Sequence, residues 1–116
     1  FLFRQERCDA CESRGGTVST LDVTIMQQDL VWHDGAANRD LFSRELEALE
    51  KPGDVIVLPE MFTTGFSMHA ESQAEDEDGP SVSWLRSKAQ ELGSAICGSL
   101  IIRERKRFYN RFIFHG

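Results

Sequence analysis

Glu60 is the residue whose sequence neighbourhood points most directly to chemistry. It follows Asp54-Val55-Ile56-Val57-Leu58-Pro59, where four consecutive apolar residues, three of them β-branched, read as a strand covered on both faces in a parallel sheet. Ligands of α/β sheets collect beyond the carboxyl ends of strands. A carboxylate delivered there beside Met61, Phe62 and Phe66 is expected to lose part of its hydration, the environment that suits a general base. A glutamate capping a surface loop is the competing reading, and position alone leaves both open. Phe62 and Phe66 divide in the same way between core and the lining of a pocket beside Glu60, and the reading adopted is the pocket.

Other reactive side chains are less well placed. Cys8-Asp9-Ala10-Cys11 has the spacing of a redox or metal motif. Its surroundings show no strand-to-helix junction, and zinc needs four ligands where two are present, with His33, His69 and His115 scattered. No metal is expected. Cys97 lies inside an apolar run and reads as a buried, inert thiol. Glu71, Glu75, Asp76, Glu77 and Asp78 fall in a segment without lysine or arginine and without the spaced ligands of a calcium loop, so they read as a solvated loop. Arg103-Glu104-Arg105-Lys106-Arg107 reads as a solvated hairpin turn.

The elements that must position Glu60 are legible in the pattern. Thr17 to Gln27 is rich in β-branched residues, with Leu21, Val23 and Ile25 alternating as a strand. Asp34 is placed to cap a helix whose face is Phe42, Leu46 and Leu49, and Lys51-Pro52-Gly53 ends it. Gly79-Pro80 opens a second helix with the stripe Val82, Leu85, Ala89 and Leu92, and Gly93 stops it. Ala95 to Ile102 and Phe108 to Phe114 are two further strands, with Phe108, Phe112 and Phe114 on one face read as core. The order is β-α-β-α-β-β, an α/β sheet that opens with crossover units and closes with a hairpin. Residues 1–16 show neither strand alternation nor a helical stripe and read as an extension or linker.

Asp54 to Met68, with Glu60 at its centre, resembles the glutamate motif of the nitrilase, or carbon–nitrogen hydrolase, superfamily. Gln27-Gln28-Asp29-Leu30-Val31-Trp32, Ala37-Asn38-Arg39-Asp40-Leu41-Phe42, Gly98-Ser99-Leu100 and Phe108-Tyr109-Asn110 resemble its ω-amidase branch, in the same order. The resemblance covers residues 17–116 and implies the N-terminal part of an α-β-β-α sandwich. It implies cleavage of the side-chain amide of a 2-oxo acid to acid and ammonia through a cysteine thioester. A lysine holds the oxyanion and a glutamate, here Glu60, moves protons; no cofactor is implied. The family's lysine and cysteine motifs lie downstream of the Tyr-Asn hairpin. Lys51, Lys88 and Lys106 do not stand in the lysine motif, so the chain by itself is expected to be inactive. The alternative is a non-catalytic fragment or degenerate copy that acts through subunit association. The resemblance also implies a homodimer in the longer protein and an exposed apolar sheet face in this chain.

Composition bounds the rest. The 116 residues are 41% hydrophobic and 28% charged, which argues against disorder and for one domain with its own core. No apolar run approaches the roughly 18–20 residues of a membrane helix. A formal charge of −6 disfavours nucleic acid as a partner. A chain opening on Phe1 reads as processed or as a fragment, its first residues lack the apolar core of a secretory signal, and three unevenly placed cysteines fit a reducing, cytoplasmic location.

Overall fold

The structure, a computed structural model, describes the backbone of residues 2–9 and the whole of residues 20–116. Cys11, and the start of the expected strand at Thr17, lie outside the described residues. Strand β1 (Leu2–Asp9) runs antiparallel to β2 (Thr20–Gln27). The opening stretch, expected to form no element, thus supplies a strand. Its Arg4-Gln5-Glu6-Arg7 core hides it from a search for apolar period, and charge is what a sheet edge tolerates best.

Next come α1 (Gly35–Glu47), β3 (Val55–Val57), the short α2 (Ala70–Gln73) and β4 (Glu75–Asp76), then α3 (Pro80–Leu92), β5 (Ala95–Glu104) and β6 (Arg107–His115). Strands β2, β3 and β5 are parallel neighbours; β4 flanks the far end of β5 and β6 returns antiparallel along it. This is the anticipated α/β order with β1, α2 and β4 added. Among the described residues no helix is long and apolar enough to cross a membrane.

Local chemistry explains the ends. Asp34 Oδ1 accepts from the Ala37 amide at 3.0 Å, capping α1. Gly93 ends α3 in the left-handed region, φ 62°, which costs glycine nothing. The β5–β6 turn is tighter than anticipated: only Arg105 and Lys106 lie between the strands, with φ 50° and 66°. Two consecutive left-handed residues match the twist of a two-residue hairpin.

Helices α1 and α3 cover one sheet face. Phe42, Leu46, Val82, Leu85 and Ala89 close over Met26, Ile56, Ile96, Leu100 and Ile102, all buried. On β2 the covered positions are Thr24 and Met26. The alternating Leu21, Val23 and Ile25 point the other way, and Leu21 is exposed. Thr24 is accepted in the core because its hydroxyl donates to the Pro52 carbonyl at 2.7 Å. The same parity corrects the reading of β6. Phe108, Phe112 and Phe114 sit opposite Arg103, Ser99 and Cys97, away from the helices, and are exposed rather than core. The apolar face expected to stand open does so at Phe112 and Phe114, whereas Cys97 and Ile101 on the same face are buried.

Candidate functional site

The segment after β3 is sewn onto β5. The Leu58 amide donates to the Cys97 carbonyl at 2.8 Å and the Phe62 amide to the Ser99 carbonyl at 3.1 Å. Between those stitches the Met61 amide donates to Ser99 Oγ at 3.0 Å. Met61 is left-handed, φ 49°, a conformation that costs a residue with a side chain about 1–2 kcal/mol. The surroundings enforce it: the Thr64 and Gly65 amides both donate to its carbonyl, and the Ser67 amide to its sulfur at 3.4 Å. Over-determined strain of this kind gathers at functional sites.

Glu60 stands at the crest of this turn. Its Oε1 accepts from Asn110 Nδ2 of β6 at 3.0 Å, and among the described residues nothing donates to Oε2. The carboxylate lines an open cavity of about 340 Å³ with Leu58, Gly98, Ser99, Asn110 and Phe112. Gly98 is required at its floor, because a Cβ there would stand 3.0 Å from Leu58 Cβ and 3.1 Å from Phe62 Cδ1. Ser99, Asn110 and Phe112 share the sheet face turned away from the helices, so the cavity opens on the uncovered side.

The placement beyond the carboxyl end of β3 is the anticipated one, whereas the expected desolvation is absent, for Glu60 is exposed. The aromatic residues that were to cover it go elsewhere. Phe62 is fully buried, with Phe42 and Trp84 at ring centroid distances of 6.1 and 5.9 Å, which is the core alternative. Phe66 is 67% exposed, and neither phenylalanine lines the cavity.

Other candidates are resolved by their contacts. Cys97 is buried on β5, and burial pushes its thiol up, away from the thiolate a nucleophile needs. Lys88 pairs with Glu91 on α3, Lys106 sits in the hairpin turn, and Lys51 follows α1; none lines the cavity. The acidic run is only partly a solvated loop. Glu75 accepts from the Ser81 amide at 2.8 Å and from its hydroxyl, and lies 3.8 Å from Arg39, so it caps α3 and ties it to α1. Among the described residues no group of three or more His, Cys, Asp and Glu side chains could hold a metal.

Three residues that build the site carry no periodic signal: Asn38, Ser99 and Asn110. Asn38 is fully buried, donates to the Val31 and Thr63 carbonyls at 2.8 and 2.7 Å, and accepts from the Val31 amide at 2.7 Å. It thereby braces the loop after Glu60 against the loop before α1. Asn110 is flagged only by its place in the Phe108-Tyr109-Asn110 segment that carries the family resemblance and by its type, since asparagine is depleted in strands.

Residues 14–115 match the family model described as carbon–nitrogen hydrolase. The chain is similar to omega-amidase YafV of Escherichia coli (strain K12), with 44% identity over 93 residues, covering 80% of this chain and 36% of that protein. It is similar to the 2-oxoglutaramate amidase of Bacillus subtilis (strain 168), with 32% identity over 90 residues, covering 76% of this chain and 35% of that protein. Among solved structures, XC1258 from Xanthomonas campestris, described as a CN-hydrolase superfamily protein, superposes with a TM-score of 0.77 at 44% identity, covering 81% of this chain and 36% of that one. The chain thus spans about a third of the length of the relatives it matches.

Proposed function

The chain belongs to the carbon–nitrogen hydrolase family, and we propose that it is the glutamate-bearing part of an ω-amidase-like hydrolase with Glu60 as the proton-moving group. The substrate is a small linear amide, the side-chain amide of a 2-oxo acid. Similarity to an omega-amidase and to a 2-oxoglutaramate amidase supports that class. The observation that carries the reading is the Glu60 carboxylate beyond the end of β3, at an open cavity, with one oxygen held by Asn110 and the other free of protein donors among the described residues.

The chemistry follows from what a carboxylate so placed can do. Glu60 accepts the proton of a cysteine thiol as the sulfur attacks the amide carbon. A lysine, supplied like the cysteine by the rest of the enzyme, stabilises the oxyanion of the tetrahedral intermediate. Glu60 then passes the proton to the departing nitrogen, so ammonia leaves and a thioester remains. Water, giving a proton to the same carboxylate, releases the acid and restores the thiol. Lys51, Lys88 and Lys106 lie away from the cavity and the Cys97 thiol is buried, which supports the expectation that this chain alone does not turn over.

The test is ammonia release from a 2-oxo acid ω-amide by a protein of the relatives' length carrying these residues. Glu60→Gln, which keeps shape but cannot take up the proton, is expected to lower kcat at least about 100-fold, the lower range for general acid–base catalysis. Turnover retained within twofold would remove Glu60 from the mechanism. A second reading, a non-catalytic chain acting through association, is favoured by one observation: Phe112 and Phe114 are 65% and 56% exposed on one sheet face.

A further inference from the structure

We infer that Ser99 and Asn110 are the positioning residues of this site, acting together from the two strands of one hairpin to fix Glu60. The inference rests on the reading of Glu60 as the proton-moving group. Ser99 holds the backbone. Its hydroxyl accepts from the Met61 amide at 3.0 Å and its carbonyl accepts from the Phe62 amide at 3.1 Å, so the residues just beyond Glu60 are clamped to β5 and the left-handed turn at Met61 is sustained. Asn110 holds the side chain, donating from Nδ2 to Glu60 Oε1 at 3.0 Å.

The register makes the two residues one device. Ser99 lies opposite Phe112 and Asn110 opposite Ile101, so they are diagonal neighbours on the same face of an antiparallel pair. Both line the cavity that Glu60 lines. A glutamate side chain has three rotatable bonds and is exposed here, so without a partner it would sample many rotamers. One donor on Oε1 selects an orientation and leaves Oε2 toward the cavity. Asparagine suits the task because its amide donates at every ordinary pH, whereas an acid or imidazole at this position would titrate alongside the group it holds.

Two measurements test this separately from the reading beneath it. In the chain itself, the Asn110 side-chain amide signals in a nitrogen–proton correlation spectrum are expected to move in Glu60→Gln and stay in place in Glu91→Gln, which changes a carboxylate on α3. An Asn110 amide indifferent to Glu60 overturns the pairing whatever the enzyme does. In the protein of the relatives' length, Asn110→Leu is expected to lower kcat about 10–100-fold, the usual range for a residue that orients a working group, with KM within twofold and Tm little changed. Asn110→Gln, which keeps the donor, should recover part of that loss. Ser99→Ala should reproduce the kcat loss and Ser99→Thr, which keeps a hydroxyl, should relieve it. Should either alanine or leucine variant fail to fold, the glutamine and threonine variants and the amide spectrum still decide. An unchanged kcat in Asn110→Leu beside an inactive Glu60→Gln overturns positioning. An active Glu60→Gln overturns the reading of Glu60 and the role built on it, while the amide coupling can still be observed.

Discussion

On the face toward α1 and α3, Ile56, Ile96, Leu100 and Ile102 are sealed beneath Phe42, Leu46 and Leu85. On the other face of the sheet, Val55 and Val57 are half-buried and Cys97 and Ile101 are buried, while Phe112 and Phe114 of β6 stand 65% and 56% exposed. The polar side chains divide accordingly. The covered face admits Thr24, whose hydroxyl is satisfied by Pro52. The open face carries Ser99, Asn110 and the Glu60 cavity. A pleated strand sends alternate side chains to opposite sides, so one short sequence can serve both ends. Stability is concentrated where water is excluded, and the polar groups around the Glu60 cavity sit on the side left open. The two are separated by a single peptide step.

The comparison breaks most visibly if the covered face does not carry the stability. Phe42 is fully buried against Phe62 at a centroid distance of 6.1 Å. Phe42→Ala is expected to cost about 3–5 kcal/mol in urea unfolding, through lost transfer energy and the cavity left behind. A loss below about 1 kcal/mol, the mean for an arbitrary substitution, would show that α1 is not sealed onto the sheet.

Gly98 tests the boundary between the faces, for it floors the Glu60 cavity while Leu58 and Phe62 press on it. Gly98→Ala would place a Cβ 3.0 Å from Leu58 Cβ, which can yield only by moving the segment that leads to Glu60. Overpacking of this kind costs about 1–3 kcal/mol. The same unfolding measurement checks it, and a neutral or stabilising result would show slack in the turn after β3. On the open face, Phe112→Ser and Phe114→Ser should each change stability by no more than about 0.5 kcal/mol. They should also raise the concentration at which the chain self-associates, read by sedimentation, because they remove an exposed apolar patch. A loss comparable with that of Phe42→Ala would mean that this face is covered after all.

What was legible in the sequence follows the same division. The helices over the covered face announce themselves through Phe42 and Leu46 or Val82, Leu85 and Ala89, because one stripe of a helix is buried and its period survives. The end of β3, and with it Glu60, is legible because Val55-Ile56-Val57 is apolar on both sides. Which side is covered is not legible, for the same reason: Leu21, Val23 and Ile25 alternate as well as Thr24 and Met26 do. Phe62 and Phe66, four residues apart in one loop, have opposite fates set by backbone turns at Met61 and Gly65, both left-handed. Asn110 meets Glu60 across fifty residues of chain, a pairing made by the register of β5 and β6 and written in no local pattern. Glu75 looked like one more solvated acid because its partners, Ser81 and Arg39, lie on different helices.

The smallest expected effect lies at the rim, where apolar cover gives way to charge. Glu104 and Arg111 share the helix-side parity of Leu100 and Ile102, Glu104 at the hairpin end of β5 and Arg111 opposite Leu100 on β6. The Arg111 guanidinium hydrogen-bonds the Glu104 carboxylate and, with its charge, holds that carboxyl below its ordinary value of 4.5. A group whose value is lowered in the folded state contributes stability that is complete above about 4.5 and is lost as pH falls through the lowered value. The contribution is present at neutral pH and lost only in acid and, both side chains being about one-third exposed, fades with salt. A carboxyl carbon titration of Glu104 in the chain and in Arg111→Gln checks it. The midpoint is expected to return toward 4.5 in the variant, and to do so in the parent chain at high salt. A midpoint indifferent to both would mean that the rim is not closed by this pair. The boundary between the covered and the open face would then rest on packing alone.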